Sequence, residues 1–398
     1  MKKLQFVYFC FLLSLMPFSG KAQWIPQSSG SSAMLQSVFF TDPMTGYCSG
    51  NGGVILKTTN GGANWISQNS GTTNDLFEVY FPAPDTGYAV GYLGTIIKTT
   101  DGGQNWDTLS SGTTLQFNCL FFTDVNTGYA VGGSGSQSIE LILKTTDGGQ
   151  SWSQQTNGSY KQLSGVHFPA VDTGYAVGNT GTILKTVDGG NVWSPQTSGT
   201  TSLLRSVQFI DTDTGYTVGA SGKILKTING GQTWTSQISG TFNTLFSVYF
   251  IDAQNGIIVG DNGTILQTTN GGGNWIPQTS GTGNLLLYVH FIGNTGFAVG
   301  ESGTILKTML SVDLPELSQT TFSLYPNPTS NGFTLQSDQK LISNAVLYIY
   351  SRDGKQIQEE HFSSESPYTD IRNLENGLYL VELRWKNGSI RQRLIVNR

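Results

Sequence analysis

Side chains able to do chemistry are few in this sequence, and their counts exclude several reactions at once. Residues 23–310 hold one arginine, Arg205, and three glutamates, Glu78, Glu140 and Glu301. Hydrolysis of sialic acids needs a cluster of arginines, because the guanidinium fork matches a carboxylate in a way lysine does not. A single arginine rules that out. A general glycosidase needs two carboxylates across one cleft. The nearest approach to such a pair is Asp261 with Glu301, on equivalent loops of neighbouring repeats. Asn51, Asn179 and Ala220 stand at the same place elsewhere, so both carboxylates read as solvated loop tips. His167 and His290 share a repeat position with Phe39, Tyr80, Phe121, Gln208 and Tyr249, a slot for packing and not for proton transfer. The sequence contains no Ser-His-Asp arrangement and no phosphate loop.

Metal and cofactor chemistry fare no better. Beyond residue 22 the cysteines are Cys48 and Cys119, at non-equivalent positions of different repeats, which predicts free thiols. Two cysteines and three scattered histidines do not make a zinc site. Asp124-x-Asn126-x-Gly128 and Asp211-x-Asp213-x-Gly215 open like calcium loops, yet neither continues to the distal glutamate, so both read as turns. No cofactor and no metal are expected. Nine Lys or Arg against sixteen Asp or Glu over residues 23–310 argue against nucleic acid as a partner.

These residues sit in a text that repeats itself. The core is G-[YF]-x-V-G, a short loop, G-T-I-L-K-T, then x-[DN]-G-G-x-x-W. Trp24, Trp65, Trp106, Trp152, Trp193, Trp234 and Trp275 mark intervals of 41, with one of 46 where five extra residues fall around "GSGSQSIE", residues 133–140. Each unit reads as four strands: L-x-x-V-x-F with alternating apolar positions, GYAVG, TILKT, and one that begins at the Trp. Four short strands per period of about 40 residues is the signature of a propeller blade. Glycine at 51 of 398 residues and charged residues at 12%, against about 25% on average, agree with strands and tight turns. The first three strands occur seven times, ending at "GFAVGESGTILKT", but no Trp follows Thr308. "QWIPQSSG" at residues 23–30 nearly copies "NWIPQTSG" at 274–281, so the N-terminal segment supplies the missing fourth strand. The reading is all-β: a seven-bladed β-propeller over residues 23–308, closed by its N-terminal strand.

The turn between third and fourth strands, T-x-[DN]-G-G-x-x-W, places Asn60, Asp101, Asp147, Asp188, Asn229 and Asn270 where they can accept backbone N–H bonds. It resembles the Asp-box of sialidase-type propellers, and the whole repeat looks like the photosystem II assembly/stability factor repeat family. By that resemblance these residues, with Trp65, Trp106, Trp152, Trp193, Trp234 and Trp275, form structural turns opposite the ligand-binding face. Lysine recurs at 57, 98, 144, 185, 226 and 307, with Gln267 in the sixth unit. The preferred reading is that each lysine pairs with a nearby loop Asp or lays its stem along the blade.

Lys2, Lys3 and the apolar run from Leu4 to Phe18, followed by Gly20-Lys21-Ala22, read as a signal peptide over residues 1–22. No run is long enough for a comfortable membrane span. A linker, 309–321, leads to a segment, 322–398, whose Asp-Gly and Asn-Gly turns predict a small Ig-like β-sandwich. Tyr325-Pro326-Asn327-Pro328, Gly332, Gly354, Asn376-Gly377-Leu378-Tyr379 and Leu394-Ile395-Val396 closely resemble the type A C-terminal sorting domain of the type IX secretion system. That resemblance implies export to the surface or medium of a Gram-negative bacterium, with the secretion machinery as a partner.

Residues that break the repeat carry the remaining information. Tyr92 stands at a loop site that is polar or small elsewhere, and Tyr160 and Phe242 replace a Thr in the turns leading into the next blade. All three fall on the face opposite the boxes and are candidates to stack on a sugar or grip a peptide. The expectation is a monomeric, non-catalytic binding, adhesion or scaffold module for an extracellular glycan or protein. The alternative is a polysaccharide-active propeller resembling a glycoside hydrolase.

Overall fold

The computed structural model describes residues 24–134, 139–155, 161–310, 322–337, 346–351, 355–361, 368–385 and 388–398. The expected signal peptide, Tyr160 and the middle of the 133–140 insertion lie outside them. The chain divides into two compact units between Ser311 and Val312.

The first unit contains seven four-stranded antiparallel sheets. Blade one runs outward through Leu35–Phe40, Gly46–Gly50, Ile55–Thr58 and Ile66–Gln68. The same order repeats through the sixth sheet. In the seventh the order is Leu286–Ile292, Thr295–Gly300, Ile305–Met309, then Ile25–Gln27 from the start of the chain. Ile25 lies opposite Lys307 and Gln27 opposite Ile305. Each inner strand packs against the next, and Leu286–Ile292 returns to Leu35–Phe40, so the sheets form a ring. This is a β-propeller.

Aromatic rings join the blades. Phe209, the last residue of an inner strand, stacks at 3.8 Å under Tyr175 of the preceding blade and receives the edge of Trp234 from its own blade at 5.9 Å. Five further Trp–Phe pairs within blades repeat that edge-on contact, and Trp24 makes it with Phe291 at 6.3 Å. Burying such a side chain is worth roughly 1.5–3 kcal/mol. The glycine opening G-Y-x-V-G is required by this packing: a Cβ on Gly215 would stand 2.5 Å from the Phe209 ring.

The box turns are closed by their own side chains. Asp101 Oδ1 accepts from Asn105 N–H at 3.0 Å and from the Thr99 hydroxyl at 2.8 Å, while Gly103 N–H donates to Thr99 Oγ1 at 2.8 Å. The backbone and side-chain donors of Asn105, with Thr99, hold the Asp101 carboxyl down at about 2. Asp124 and Asp211 likewise accept the N–H groups two and three residues on, as turn formers.

The lysines answer to a different partner than a loop Asp. Lys185 Nζ donates to the carbonyl of Gly230, in the box of the next blade, at 2.7 Å, and Tyr175 donates its hydroxyl to the same oxygen at 2.9 Å. Lys57, Lys98, Lys144 and Lys226 do the same one blade on, and Lys307 reaches Gly61 across the closing seam. Each lysine also lies over the aromatic ring of that clamp, 5.3–5.8 Å from its centroid. Blade six carries Gln267 and Ile257 in place of Lys and Tyr. Its neighbour, blade seven, has no box, because its outer strand enters from the other end of the chain. Both clamp residues are therefore missing where the acceptor carbonyl is missing. Lys226→Gln is expected to lower stability by about 1–2 kcal/mol, as a charge-assisted hydrogen bond between blades is lost. Gln267→Lys is expected to gain nothing. Urea titration of both variants compares them, and a stabilised Gln267→Lys protein would refute the explanation.

The second unit has a three-stranded sheet, Phe322–Tyr325, Gly332–Ser337 and Tyr368–Asp370, and a four-stranded one built on Val346–Tyr350 and Gly377–Trp385. Leu324, Phe333, Leu347, Ile349, Val381 and Leu394 belong to one core between them.

Candidate functional site

The propeller axis holds a cavity of about 410 Å³. It is lined by the inner strands. Each inner strand shifts register just after its first residues, as between Leu76 and Glu78 and between Leu204 and Ser206. Such bulges re-aim side chains.

At the end nearer the boxes an aromatic collar narrows the channel. Phe39 lies 5.0 Å from Tyr80 and 4.9 Å from His290, and Phe121 lies 5.0 Å from His167. Polar collar members bond the next blade: Tyr80 and Tyr249 donate to the carbonyls of Phe122 and Phe291, and His167 Nδ1 accepts from Phe209 N–H at 3.4 Å. Burial pushes His167 and His290 down to about 4, so both imidazoles are neutral at pH 7. The histidine slot is used for packing and for joining blades.

Above the collar lies Glu78. Its Oε2 accepts from Leu120 N–H at 2.8 Å, and its Oε1 accepts from the Tyr288 hydroxyl at 2.8 Å, across 210 residues of sequence. The corresponding positions hold Ser37, Cys119, Gly165, Ser206 and Ser247. Ser206 and Ser247 accept from the next blade's N–H at 3.4 and 3.3 Å, so Glu78 takes over a serine's structural bond and leaves its other oxygen to the phenol. Burial raises the Glu78 carboxyl to about 7, against the lowering effect of bonds from Cys119, Tyr288 and Leu120. Cys48 and Cys119 are free thiols, and burial raises both.

The sign of the Glu78 effect on stability follows from proton binding. Between about pH 4.5 and 7 the folded protein keeps a proton that the unfolded chain has lost, so stability falls as pH rises through that window and levels off above it. Glu78→Gln removes the dependence. The variant is expected to gain stability over the parent by roughly 2–3 kcal/mol at pH 8, and the gain to shrink towards pH 5. Denaturant unfolding at both pH values measures it; an equal difference at the two would be incompatible with a protonated Glu78.

The mouth, on the side away from the boxes, is bordered by Arg205, Phe246, Phe77, Leu287 and Asn118. Arg205 is exposed, with its guanidinium 5.2 Å from the Phe246 ring centroid.

The sequence candidates within the described residues, Tyr92 and Phe242, lie outside the cavity lining. Tyr92, in the 92–94 turn of blade two, is 47% exposed, and Phe242, on the loop leading into Phe246, is 93% exposed. Asp261 and Glu301 do not face one another as an acid–base pair: Asp261 Oδ2 accepts from Thr244 N–H and Glu301 Oε2 from Leu285 N–H, each on the loop entering its own blade. They are loop fasteners. Glu78 and Tyr288 were not picked out by sequence reasoning, although a signal existed. Aligned at the repeat period, theirs is a slot otherwise filled by Ser, Cys and Gly.

Among the described residues no group of three or more His, Cys, Asp or Glu is placed to hold a metal ion, and no helix is long and apolar enough to cross a membrane.

Comparison with known proteins agrees with this architecture. Over 74% of this chain and 100% of its own length, YCF48 from Cyanidioschyzon merolae superposes with a TM-score of 0.61 at 21% identity. A structure of YCF48 bound to D1 peptide gives 0.62 at 18% identity, covering 73% and 96%. The WD40 propeller domain of Doa1 gives 0.60 at 11%, covering 73% and 98%. At these identities the likeness is one of fold. Ulvan lyase NLR42 of Nonlabens ulvanivorans is 32% identical over 92 residues, which span 23% of this chain but 16% of that enzyme. Residues 323–397 match the secretion system C-terminal sorting domain, which marks the protein for export to the cell surface or beyond. Overlapping matches run from residue 17 to residue 275, well over half of the chain, and by them it belongs to the family described as photosynthesis system II assembly factor YCF48.

Proposed function

We infer that this exported propeller is a non-catalytic binding module that holds an extracellular ligand at the mouth of its channel. One observation carries the reading. The polar groups that repeat from blade to blade are engaged in blade-to-blade bonds, whereas Glu78 and Tyr288, which depart from a slot otherwise filled by Ser, Cys or Gly, and Arg205, Phe77 and Phe246, from a slot that holds no fixed residue type, gather at the axial cavity. Clefts with apolar walls and a few convergent polar groups are the usual form of a ligand site. Tyr92 and Phe242 would extend contact outward from the mouth, and Tyr160, outside the described residues, stays a third candidate from the sequence. The similar fold of YCF48 bound to D1 peptide supports a variant in which the ligand is a segment of a protein and the module a scaffold for extracellular complexes. A photosystem partner does not carry over to a chain with an export domain.

A second reading, a polysaccharide-active enzyme, is favoured by the Glu78–Tyr288 pair. A carboxyl raised to about 7 beside a phenol inside a cavity is suited to proton transfer. The full chain on a glycan and matrix-protein array, with a reducing-end assay on each glycan retained, separates the readings. Retention without release of sugar supports the module. Release that disappears in Glu78→Gln establishes the enzyme and overturns it.

A further inference from the structure

We propose that the channel mouth is a subsite for a carboxylated sugar unit, of the uronic-acid kind, carried by an extracellular polysaccharide. This rests on the binding role inferred above and adds the chemistry of the ligand. Among the described residues that line the cavity, Arg205 is the one cationic side chain and Glu78 the one carboxylic acid. They belong to blades five and two, on well-separated walls.

Arg205 is available to an anion. It makes no ion pair among the described residues, and its guanidinium is held over Phe246. Partial burial lowers the Arg205 guanidinium from its ordinary value, so it gains from a carboxylate partner; Asp261 opposes that lowering through its field, while its Oδ2 accepts from Thr244 N–H. A guanidinium at a rim offers a carboxylate two parallel donors. Phe246, Phe77 and Leu287 give the apolar C–H face of a sugar ring something to pack on.

Deeper in, the chemistry changes to hydroxyl exchange. Ser206 and Ser247 accept from backbone N–H groups and keep their own protons to donate, while Glu78 can accept more bonds than its described partners supply. A buried carboxyl gains from additional donors and loses when hydrocarbon is pushed against it. Sugar hydroxyls are such donors. A peptide whose terminal carboxylate met Arg205 would satisfy Glu78 only through a particular donor side chain, whereas every sugar ring carries several hydroxyl donors, so the sugar is favoured. The volume, about 410 Å³, lies toward the small end of ligand sites and suits about one or two sugar rings.

The test is isothermal titration of the full chain with short oligogalacturonates, the same oligomers as methyl esters, neutral cello-oligosaccharides, and a short peptide with either a free or an amidated C-terminus. The acid oligomers are expected to bind, and esterification or Arg205→Gln to weaken them about tenfold or more. Arg205→Lys is expected to recover part of the loss, since the charge returns without the fork. Arg205 is exposed, so an unchanged melting curve shows that the variants fold. Equal binding of acid and ester, or no effect of Arg205→Gln, overturns the proposal. Binding of the free-terminus peptide alone replaces the sugar by a protein partner and leaves the binding role standing, as does retention of neutral glycans alone. If neither sugars, peptides nor the array components are held, the subsite and the binding role fall together.

Discussion

Trp24→Ala is expected to lower the melting temperature of the propeller by about 10 °C, from a loss of about 4 kcal/mol. The figure is the usual cost of emptying an aromatic core site, spread over a domain of this size. Residues near a chain terminus are ordinarily dispensable, which makes the size of this effect diagnostic. Trp24 is buried and meets Phe291 edge-on, as the internal tryptophans meet their own phenylalanines. What differs is the tether. Trp275 is covalently continuous with the third strand of its blade through a box turn. Ile25–Gln27 have no box turn to join them to Ile305–Met309, and are held to the seventh sheet by strand pairing and by the packing of Trp24. Removing residues 24–29 altogether bares that edge, and an uncovered strand edge is a template for association. Calorimetry on the single variant and size-exclusion chromatography on the deletion check this. A Trp24→Ala protein melting with the parent would show that the seventh sheet does not depend on its borrowed strand.

Gly303→Ala should damage the same seam by roughly 3 kcal/mol or more. Gly303 has φ +68°, and a Cβ there would lie 1.8 Å from the carbonyl oxygen of Ser31 and 2.8 Å from Ser29 Oγ. Its N–H is bonded to the Ala33 carbonyl at 2.8 Å, so the turn cannot step aside without losing that bond as well. The left-handed backbone costs an alanine about 1–2 kcal/mol, and a backbone clash adds overpacking of similar size. Gly52→Ala is the matched control. Gly52 has φ +69° but open space where its Cβ would go, and Leu93, Thr180, Ser221, Asn262 and Ser302 occupy equivalent places with φ of 53–57°. That change should cost about 1 kcal/mol. Comparable losses at the two sites, measured by urea unfolding, would mean that the clash is relieved cheaply.

Ring, blades and closure were legible in the sequence because each is written in local text. A strand announces itself by alternation, a box by Thr, Asp or Asn and two glycines, and the seam by the near-identity of "QWIPQSSG" and "NWIPQTSG". The lysine partner was not legible in the same way. A Lys–carbonyl bond gives no side-chain signature at the acceptor, since Gly230 reads as a turn glycine whether or not Lys185 reaches it. For the site, exposed aromatics such as Tyr92 and Phe242 drew the sequence reading outward to the loops. Glu78 looked like a lone glutamate without a partner, because its phenol lies 210 residues away and comes near only when the ring closes.

The forward reach of the clamps has a consequence for the order of events during synthesis. Each Tyr–Lys pair, once made, waits for the box of the blade that follows, so blades one to five can lock in succession as the chain lengthens. The Gly61 carbonyl in the first box is the exception: it waits for Lys307, at the end of the last repeat. Trp24 waits for Phe291 over a similar span. The first residues of the propeller are thus among the last to find their partners, and a chain broken off before the final repeat leaves its oldest blade unfinished.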